Sequence, residues 1–158
     1  MIAAMAQEIE RKYLVDVARW RPAGQGARLV QGYLSSRKEC VVRVRIEDAV
    51  ARLTVKGETT GISRAEFEYP IPVADAEVML ATLCQRPLIE KQRHREVHNG
   101  KVWEIDVFAG ENRGLVLAEV ELASEHEVVD VPPWATQEVS HDARYYNSSL
   151  SARPFSSW

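Results

Sequence analysis

The sequence is poor in the residues that mark disulfide-bonded, fibrous or membrane-spanning proteins. Only two cysteines, Cys40 and Cys84, occur among 158 residues, together with 8 glycines and 7 prolines. Two cysteines cannot build a disulfide framework or a four-cysteine metal site, and the low glycine and proline content excludes collagen-like and low-complexity chains. No apolar run approaches the roughly 18 residues of a transmembrane helix, and the first residues lack the basic segment of a signal peptide. We therefore expect a soluble, cytoplasmic protein.

The overall composition is that of a folded globular chain. Apolar residues make up 46% and charged residues 27%, and the formal net charge is −3, which gives no general attraction to nucleic acid or to a membrane surface. This length predicts one domain, which we place over residues 1–158, with a core at about 7–150, an N-terminal extension at 1–6 and a tail at 151–158. The sequence leaves the oligomeric state open, and we retain a homodimer as one candidate assembly.

Alternation of apolar and polar residues, which is typical of β-strands, dominates the chain. Such runs occupy residues 8–14, 29–34, 40–46, 51–56, 64–69, 89–95, 102–108 and 116–122. Asn99 and Gly100, between two of these runs, predict a two-residue hairpin. Helical patterns are fewer and cover residues 75–83, 134–138 and 142–151, with Asp75 as the predicted N-cap of the first. We therefore expect an α+β fold that is mainly β.

The polar faces of these strands carry charges two residues apart. The charged sets are Glu8 with Glu10 and Lys12, Arg43 with Arg45, Glu66 with Glu68, Lys91 with Arg93 and Arg95, Glu104 with Asp106, and Glu119 with Glu121. An open sheet with a solvated face produces this pattern, and so does a barrel whose charged face lines its lumen. Enclosed charges need partners or bound ligands. A mixture of carboxylates, lysines and arginines suits a complex of a divalent metal with a polyphosphate.

A short motif in the first strand is typical of a known family. Residues 8–12, Glu-Ile-Glu-Arg-Lys, resemble the Glu-x-Glu-x-Lys signature of the CYTH superfamily, the triphosphate tunnel metalloenzymes. Other segments resemble the small bacterial members in order and spacing, namely residues 31–34, 42–45, 53–57, 64–68, 89–93, 104–108, 117–121 and 142–147. The resemblance covers about residues 7–150 and favours the barrel over the open sheet.

The resemblance implies a closed antiparallel barrel of about eight strands, with a charged lumen and flanking helices. It also implies hydrolysis of a linear triphosphate with Mg²⁺ or Mn²⁺, typically inorganic tripolyphosphate to pyrophosphate and phosphate, by direct attack of water. Relatives hydrolyse thiamine triphosphate or cyclise ATP, and the shared fold does not choose among these reactions. A thiamine triphosphatase, a class IV-type adenylate cyclase and a non-catalytic polyphosphate- or nucleotide-binding module therefore remain alternatives.

The charge pattern and the resemblance together assign roles to individual residues. The expected metal ligands are Glu8, Glu10, Asp106, Glu119 and Glu121. The residues expected to bind phosphate are Lys12, Arg43, Arg45, Lys56, Arg64, Lys91, Arg93 and Arg144. For catalysis we assign Glu10 and Asp106, which would hold metal or water. We add Lys91, because a crowded cationic row lowers the pKa of a lysine and suits it to carry a proton.

Overall fold

The computed structural model describes residues 6–158, so most of the predicted extension at 1–6 lies outside the described residues. The strands are β1 Gln7–Val15, β2 Ala27–Arg37, β3 Cys40–Glu47, β4 Val50–Gly57, β5 Ser63–Ile71, β6 Ile89–His98, β7 Lys101–Phe108, β8 Val116–Glu121 and β9 Ala135–Glu138. The α-helices are α1 Val73–Thr82 and α2 Asn147–Ala152, and short 3-10 helices occupy Gly110–Asn112, Ala143–Tyr145 and Phe155–Ser157. Within the described residues, no helix has the length and apolar character needed to cross a bilayer.

Eight of the strands form one antiparallel ring. Their order is β5-β4-β3-β2-β6-β7-β8-β1, and β1 closes the ring by pairing with β5. Closure uses only the first half of β1, where Gln7 lies opposite Ala65 and Glu8 lies opposite Arg64. The second half of β1 pairs with β9 on the same side. The predicted eight-stranded antiparallel arrangement is confirmed as a tunnel-like ring, with a ninth strand added beside it.

The helix predicted at residues 134–138 is wrong, because this segment is the strand β9. β1 leaves β5 half-way along its length, so its remaining backbone groups need another partner. The segment after Pro132 and Pro133 supplies that partner: β9 pairs with Tyr13 and Val15. The two prolines favour the start of a helix, but pairing with a distant strand overrides this local signal.

The other local predictions are close to the observed elements. Asn99 and Gly100 form the predicted hairpin, with φ angles of 48° and 77°, which fit a type I′ turn. The first predicted helix begins two residues earlier than expected, and its N-cap is Pro72 instead of Asp75. The helix predicted at 142–151 divides into a 3-10 turn and α2.

Two parts of the outward face of the ring are apolar and covered. On one side, Trp103 and Ile105 of β7 pack with Tyr13 and Trp20, and Trp134 from the segment before β9 packs against them. On the other side, α1 covers β2, β3 and β4 in a second apolar cluster. Burial of these faces stabilises a ring whose inner face is charged.

The inner face changes from charged to apolar near one end of the ring. The apolar plug is the buried cluster at this end, and its inward-facing strand residues are Leu14, Tyr33, Val41, Ile89, Phe108 and Leu117. Each of these lies two residues beyond an inward polar or charged side chain on its own strand, as Leu14 does after Lys12. Leu150 of α2 is fully buried among them. The charged tunnel therefore has an apolar floor at this end.

Trp103 is expected to be the largest single contributor to the outer core. Its side chain is fully buried, and its ring centroid lies 5.5 Å from that of Tyr13 and 5.8 Å from that of Trp134. Replacing Trp103 with alanine should lower the free energy of unfolding by about 3–5 kcal/mol, measured by urea denaturation. Trp103→Phe should cost much less, because the buried indole Nε1 has no hydrogen-bond partner to lose. Equal losses in the two variants would contradict this account.

Candidate active site

The ring encloses a cavity of about 460 Å³ whose lining is dominated by charged side chains. Ten cationic and eight acidic residues contribute to the lining. Most of the predicted site residues are among them, namely Glu8, Glu10, Lys12, Arg43, Arg45, Lys56, Arg64, Lys91, Arg93, Glu119 and Glu121. The alternation of the strands thus places these side chains around one space.

The strand order separates the two signs of charge. The acidic wall lies on β5, β1, β8 and β7, which are neighbours in the ring, and it consists of Glu8, Glu10, Glu66, Glu68, Glu104, Glu119 and Glu121. The basic wall lies on β4, β3 and β6, and it consists of Arg43, Arg45, Arg52, Lys56, Lys91, Arg93 and Arg95. A few charges depart from this division, among them Lys12 on β1 and Arg64 on β5.

Strand register strengthens this separation by placing like charges opposite each other. Glu10 lies opposite Glu121 across β1 and β8, and Arg45 lies opposite Arg52 across β3 and β4. Like charges directly opposite each other on a sheet are destabilising. A bound ion of the other sign would relieve that repulsion, so both walls are suited to a ligand of mixed charge.

Many of the charges are already neutralised by ion pairs between the walls. Lys56 Nζ lies 2.8 Å from a carboxylate oxygen of Glu8 and 3.1 Å from one of Glu66. Lys12 Nζ lies 3.3 Å from Glu119. The charges of Lys12 and Arg93 outweigh the desolvation of Glu119 and lower its pKa to about 2. Glu8 and Glu119, whose pKa values are lowered, are ionised at neutral pH and are paired with lysines.

Asp106 is the most deeply buried carboxylate of the set. Its side chain is 1% exposed, and it accepts two hydrogen bonds from Arg93, each 2.8 Å long, while Lys91 Nζ lies 2.8 Å away. Desolvation alone would raise its pKa, but the charges of Lys91 and Arg93 hold that pKa far below the ordinary value.

The structure therefore does not place Asp106 as expected for a metal ligand or a water-positioning residue. Asp106 is absent from the cavity lining, and both of its oxygens are occupied by cations. Glu104 and Asp106 share one face of β7, but Asp106 lies deeper, opposite Leu117 of the apolar plug. Asp106 instead positions Lys91 and Arg93 and supplies their counter-charge.

Glu10 stands out among the lining carboxylates of residues 6–158 because it is shielded from solvent and yet forms no ion pair, whereas the unpaired Glu121 is exposed. Among the ion pairs of residues 6–158, none includes Glu10. Burial raises its pKa well above the ordinary value, and the neighbouring carboxylates Glu119 and Glu8 raise it further. A carboxylate held beside two other carboxylates is a favourable place for a divalent cation, because a cation reverses this unfavourable field.

Arg45 is the corresponding group on the basic wall. Within the part of the chain that the structure describes, its guanidinium has no carboxylate partner, and its Nε donates to Gln31 Oε1 at 2.8 Å. Burial, together with the charges of Arg43 and Arg93, lowers the pKa of Arg45 to about 9. Nearby, Arg43 Nε is buried and lacks any hydrogen-bond partner among the described residues. A buried donor without a partner is costly, and an anion in the cavity would satisfy it.

Lys91 lies at the floor of the cavity, where charge meets the apolar plug. Its side chain is fully buried, its Nζ donates to Asn147 Oδ1 at 2.9 Å, and it lies 5.3 Å from the ring centroid of Phe108. Burial lowers the pKa of Lys91 to about 7, with Arg93 and Arg45 adding to the shift and Asp106 opposing it. A lysine with this pKa can exchange a proton near neutrality, and burial is the main cause of the shift, ahead of the cationic row.

Arg144 is not brought into the cavity. Its side chain is 65% exposed and pairs with Asp142 at 2.7 Å, and its guanidinium lies over the rings of Tyr145 and Trp158. Arg144 belongs to a 3-10 turn and not to a longer helix, so it faces away from the site. The structure therefore does not group Arg144 with the other residues expected to bind phosphate.

Several cavity residues were missed from the sequence. Arg52, Lys101, Tyr33, Tyr146 and Asn147 all line the cavity. Strand alternation could have identified Arg52, which shares a face of β4 with the predicted site residue Lys56. Asn147 belongs to a segment that folds across the end of the ring, and no local sequence pattern predicts that placement.

The donor set suits a metal that takes part of its coordination from a ligand. Among residues 6–158, no three histidine, cysteine or carboxylate side chains converge into a ready-made metal site. Mg²⁺ usually binds through one or two carboxylates, with waters and phosphate oxygens completing the shell. The unpaired Glu10 beside Glu8 and Glu119 fits that mode.

Comparison with known proteins agrees with this architecture. The CYTH domain profile matches residues 6–153. The chain belongs to the CYTH family. This membership confirms the family that residues 8–12 and the later segments predicted. Two relatives, both called inorganic triphosphatase, come from Acetivibrio thermocellus and Nitrosomonas europaea. They are 45% and 37% identical, over 96% and 91% of this chain and 97% and 96% of their own lengths.

The crystal structure of an inorganic triphosphatase has the same fold as this CYTH protein. The two structures match with a TM-score of 0.64 at 35% sequence identity, over 91% of this chain and 93% of the other. The ring and its tunnel are therefore features of the family and not peculiar to this chain.

Replacing Asp106 with asparagine tests its role as the counter-charge. Asp106→Asn leaves Lys91 and Arg93 buried without it and should lower the free energy of unfolding by about 3–5 kcal/mol at pH 7. Because the pKa of Asp106 is lowered in the folded protein, its contribution should be lost as the pH falls below about 4. Urea denaturation at pH 7 and pH 3 should show a smaller acid loss in the variant than in the wild type. Asp75→Asn, an exposed change on α1, is the matched control and should change neither value.

Proposed function

We propose that this CYTH protein is a divalent-metal-dependent hydrolase of linear triphosphate that cleaves inorganic tripolyphosphate to pyrophosphate and phosphate. The observation that carries the proposal is the pair of uncompensated charges in one cavity, Glu10 on the acidic wall and Arg45 on the basic wall. A metal–triphosphate complex has both charges that these groups need. The names of the two relatives, inorganic triphosphatase, support the same substrate.

The metal would bind on the acidic wall. We assign Glu8, Glu10, Glu119 and Glu121 to hold Mg²⁺ or Mn²⁺, with Glu10 as the central ligand because it has no competing cation. A bound divalent metal supplies neutralisation of charge on phosphate oxygens. Glu8 and Glu119 already pair with lysines, so they also fix the positions of the cations around the substrate.

The phosphates would lie along the basic wall. Arg45 and Arg43 provide guanidinium groups that lack full sets of partners, and arginine binds phosphate through two parallel hydrogen bonds. The remaining cations that we assign to phosphate are Lys12, Lys56, Arg64, Lys91 and Arg93. Together they would stabilise the negative charge on the equatorial oxygens as the bond to the leaving group breaks.

The reaction that we propose is direct attack by water on a terminal phosphorus. The new bond joins the water oxygen to phosphorus, the bond to the pyrophosphate oxygen breaks, and no covalent enzyme intermediate forms. Lys91 is the proposed proton carrier, since burial lowers its pKa to about 7. Asp106 acts through Lys91 and Arg93 by holding both in place.

The lining favours inorganic triphosphate over the organic alternatives. Its aromatic residues, among those the structure describes, are Tyr33 and Tyr146, and Tyr33 belongs to the apolar plug at the closed end. The opposite rim carries charged residues such as Arg52 and Arg95, which are 50% and 46% exposed. A nucleoside or thiazolium group reaching out of the cavity would meet charges there and not an aromatic platform.

A single CYTH domain over residues 1–158, a cytoplasmic location and a homodimeric assembly belong to the same proposal. The first two rest on the sequence. The homodimer is one candidate assembly, which the site does not require, because the cavity is built from residues of one chain.

Phosphate release is the direct test of the substrate and metal. Tripolyphosphate, thiamine triphosphate and ATP should each be assayed with Mg²⁺, with Mn²⁺ and with chelator. We expect rapid release from tripolyphosphate that chelator abolishes, and little release from the other two. Comparable release from thiamine triphosphate or ATP would overturn the assignment of substrate. No release from any of them, by folded protein that still binds tripolyphosphate, would indicate a binding module.

A pair of substitutions separates the two walls. Glu10→Gln should lower kcat with metal by about 100-fold while leaving metal-free binding of tripolyphosphate nearly unchanged, because it removes a ligand of the metal. Arg45→Ala should weaken tripolyphosphate binding by about 10-fold or more, because it removes charge-assisted hydrogen bonds. Steady-state kinetics and calorimetry measure the two effects. The exposed changes Glu77→Gln and Arg37→Ala serve as controls. A protein without turnover, in which only Arg45→Ala weakens tripolyphosphate binding, would be a binder.

A further inference from the structure

A buried pair of side-chain amides connects the two cationic groups at the floor of the cavity. Gln31 of β2 is fully buried, and Asn147, the first residue of α2, lines the cavity. Gln31 Nε2 donates to Asn147 Oδ1 at 3.3 Å and to the Tyr33 hydroxyl at 3.1 Å. The two amides are 116 positions apart in the sequence, so this contact exists only in the folded chain.

The cations on each side fix the orientation of both amides. Arg45 Nε donates to Gln31 Oε1 at 2.8 Å, and a guanidinium can only donate. Gln31 must therefore direct its oxygen toward Arg45 and its NH₂ group toward Asn147. Lys91 Nζ, which only donates in its protonated form, lies 2.9 Å from Asn147 Oδ1. Two donors, Gln31 Nε2 and Lys91 Nζ, thus converge on the Asn147 oxygen. If the Asn147 amide were rotated by half a turn, its NH₂ group would face both donors.

The fixed orientation leaves the Asn147 NH₂ group free to bind a ligand. In the hydrogen-bond set of residues 6–158, Asn147 acts only through Oδ1, which accepts from Gln31 and Lys91. The Asn147 side chain lies in the lining beside Lys91 and Tyr146. An NH₂ group in such a place donates well to an anionic oxygen, and a bond to a charged acceptor is stronger than one between neutral groups.

We propose that Asn147 binds a phosphate oxygen of the substrate through Nδ2, and that Gln31 is the positioning residue that aims this group. The proposal rests on the proposed triphosphatase function for the identity of the ligand. Gln31 is absent from the cavity lining, so it acts through Asn147 and Arg45 and not on the substrate. In this arrangement α2 contributes a neutral donor to the floor of the cavity, beside the charged groups of the strands.

Calorimetric binding of tripolyphosphate in the presence of chelator measures this contact without turnover. Asn147→Ala should weaken binding by about 10-fold, since it removes a hydrogen bond to a charged group. Asn147→Asp should weaken it more, because the carboxylate still accepts from Lys91 but cannot donate and repels phosphate. Unchanged affinity in Asn147→Ala would overturn the assignment of Asn147.

A double-mutant cycle tests the positioning role of Gln31. Gln31→Glu keeps an acceptor for Arg45 but removes the donor to Asn147, so its effect on affinity should be at least about 3-fold smaller when Asn147 is already alanine. Gln92→Glu makes the same chemical change on β6, outside the cavity lining, and should leave affinity unchanged. Losses that simply multiply in the double variant would overturn the role of Gln31.

The contact can also be tested by NMR on the wild-type protein, which does not depend on whether the variants fold. The side-chain amide resonances of Asn147 should shift on addition of tripolyphosphate with chelator present. Those of Asn99, which is exposed in the hairpin between β6 and β7 and absent from the cavity lining, should shift much less. Binding and an Asn147 shift without hydrolysis would reject the triphosphatase function and keep this contact. A protein that neither binds nor hydrolyses tripolyphosphate would overturn both.

Discussion

The confinement of like charges within a closed ring of strands is the constraint on which the rest of the structure depends. Acidic residues occupy four neighbouring strands and basic residues face them, so each wall repels itself while attracting the other. Register adds to the repulsion, as Glu10 opposite Glu121 shows. The apolar outer faces around Trp103 and under α1 offset this cost. The fold thereby maintains an electrostatic field that a metal–polyanion complex can neutralise.

The ion pairs divide the charged residues into two kinds. Asp106 is fully compensated by Lys91 and Arg93, and such a buried pair fixes geometry without offering a vacant ligand position. Glu10 and Arg45 are buried without ionic partners among the described residues, a state that costs free energy in the empty protein. A ligand that supplies the missing charges recovers that cost. Burial with an unmet charge therefore distinguishes the proposed binding groups from the scaffold.

The apolar plug makes the two ends of the tunnel chemically different. Charged side chains give way to Leu14, Phe108 and Leu117 at the floor, where desolvation lowers the pKa of Lys91 to about 7. The opposite rim carries charges that are partly exposed, such as Arg52 and Arg95. Because α2 lies across the floor, its polar residue Asn147 reaches the same lysine from the far end of the chain. The proposed proton carrier Lys91 and the proposed phosphate donor Asn147 thus lie together at the floor of the cavity.

The sequence by itself determined the eight strands of the ring, their charged faces and the family, because period-two alternation and the motif at residues 8–12 are local. It did not indicate β9. It also determined that most strands carry charges of one sign, as in Glu119 with Glu121 or Arg43 with Arg45. Only the tertiary structure decided that the acidic strands are neighbours, since the ring order departs from chain order. Depth along a strand, which separates Asp106 from Glu104, was likewise set by the ring. The contact of Gln31 with Asn147 was also decided by the tertiary structure. The depth of a residue and a contact between distant segments both depend on how those segments pack and not on any pattern within them.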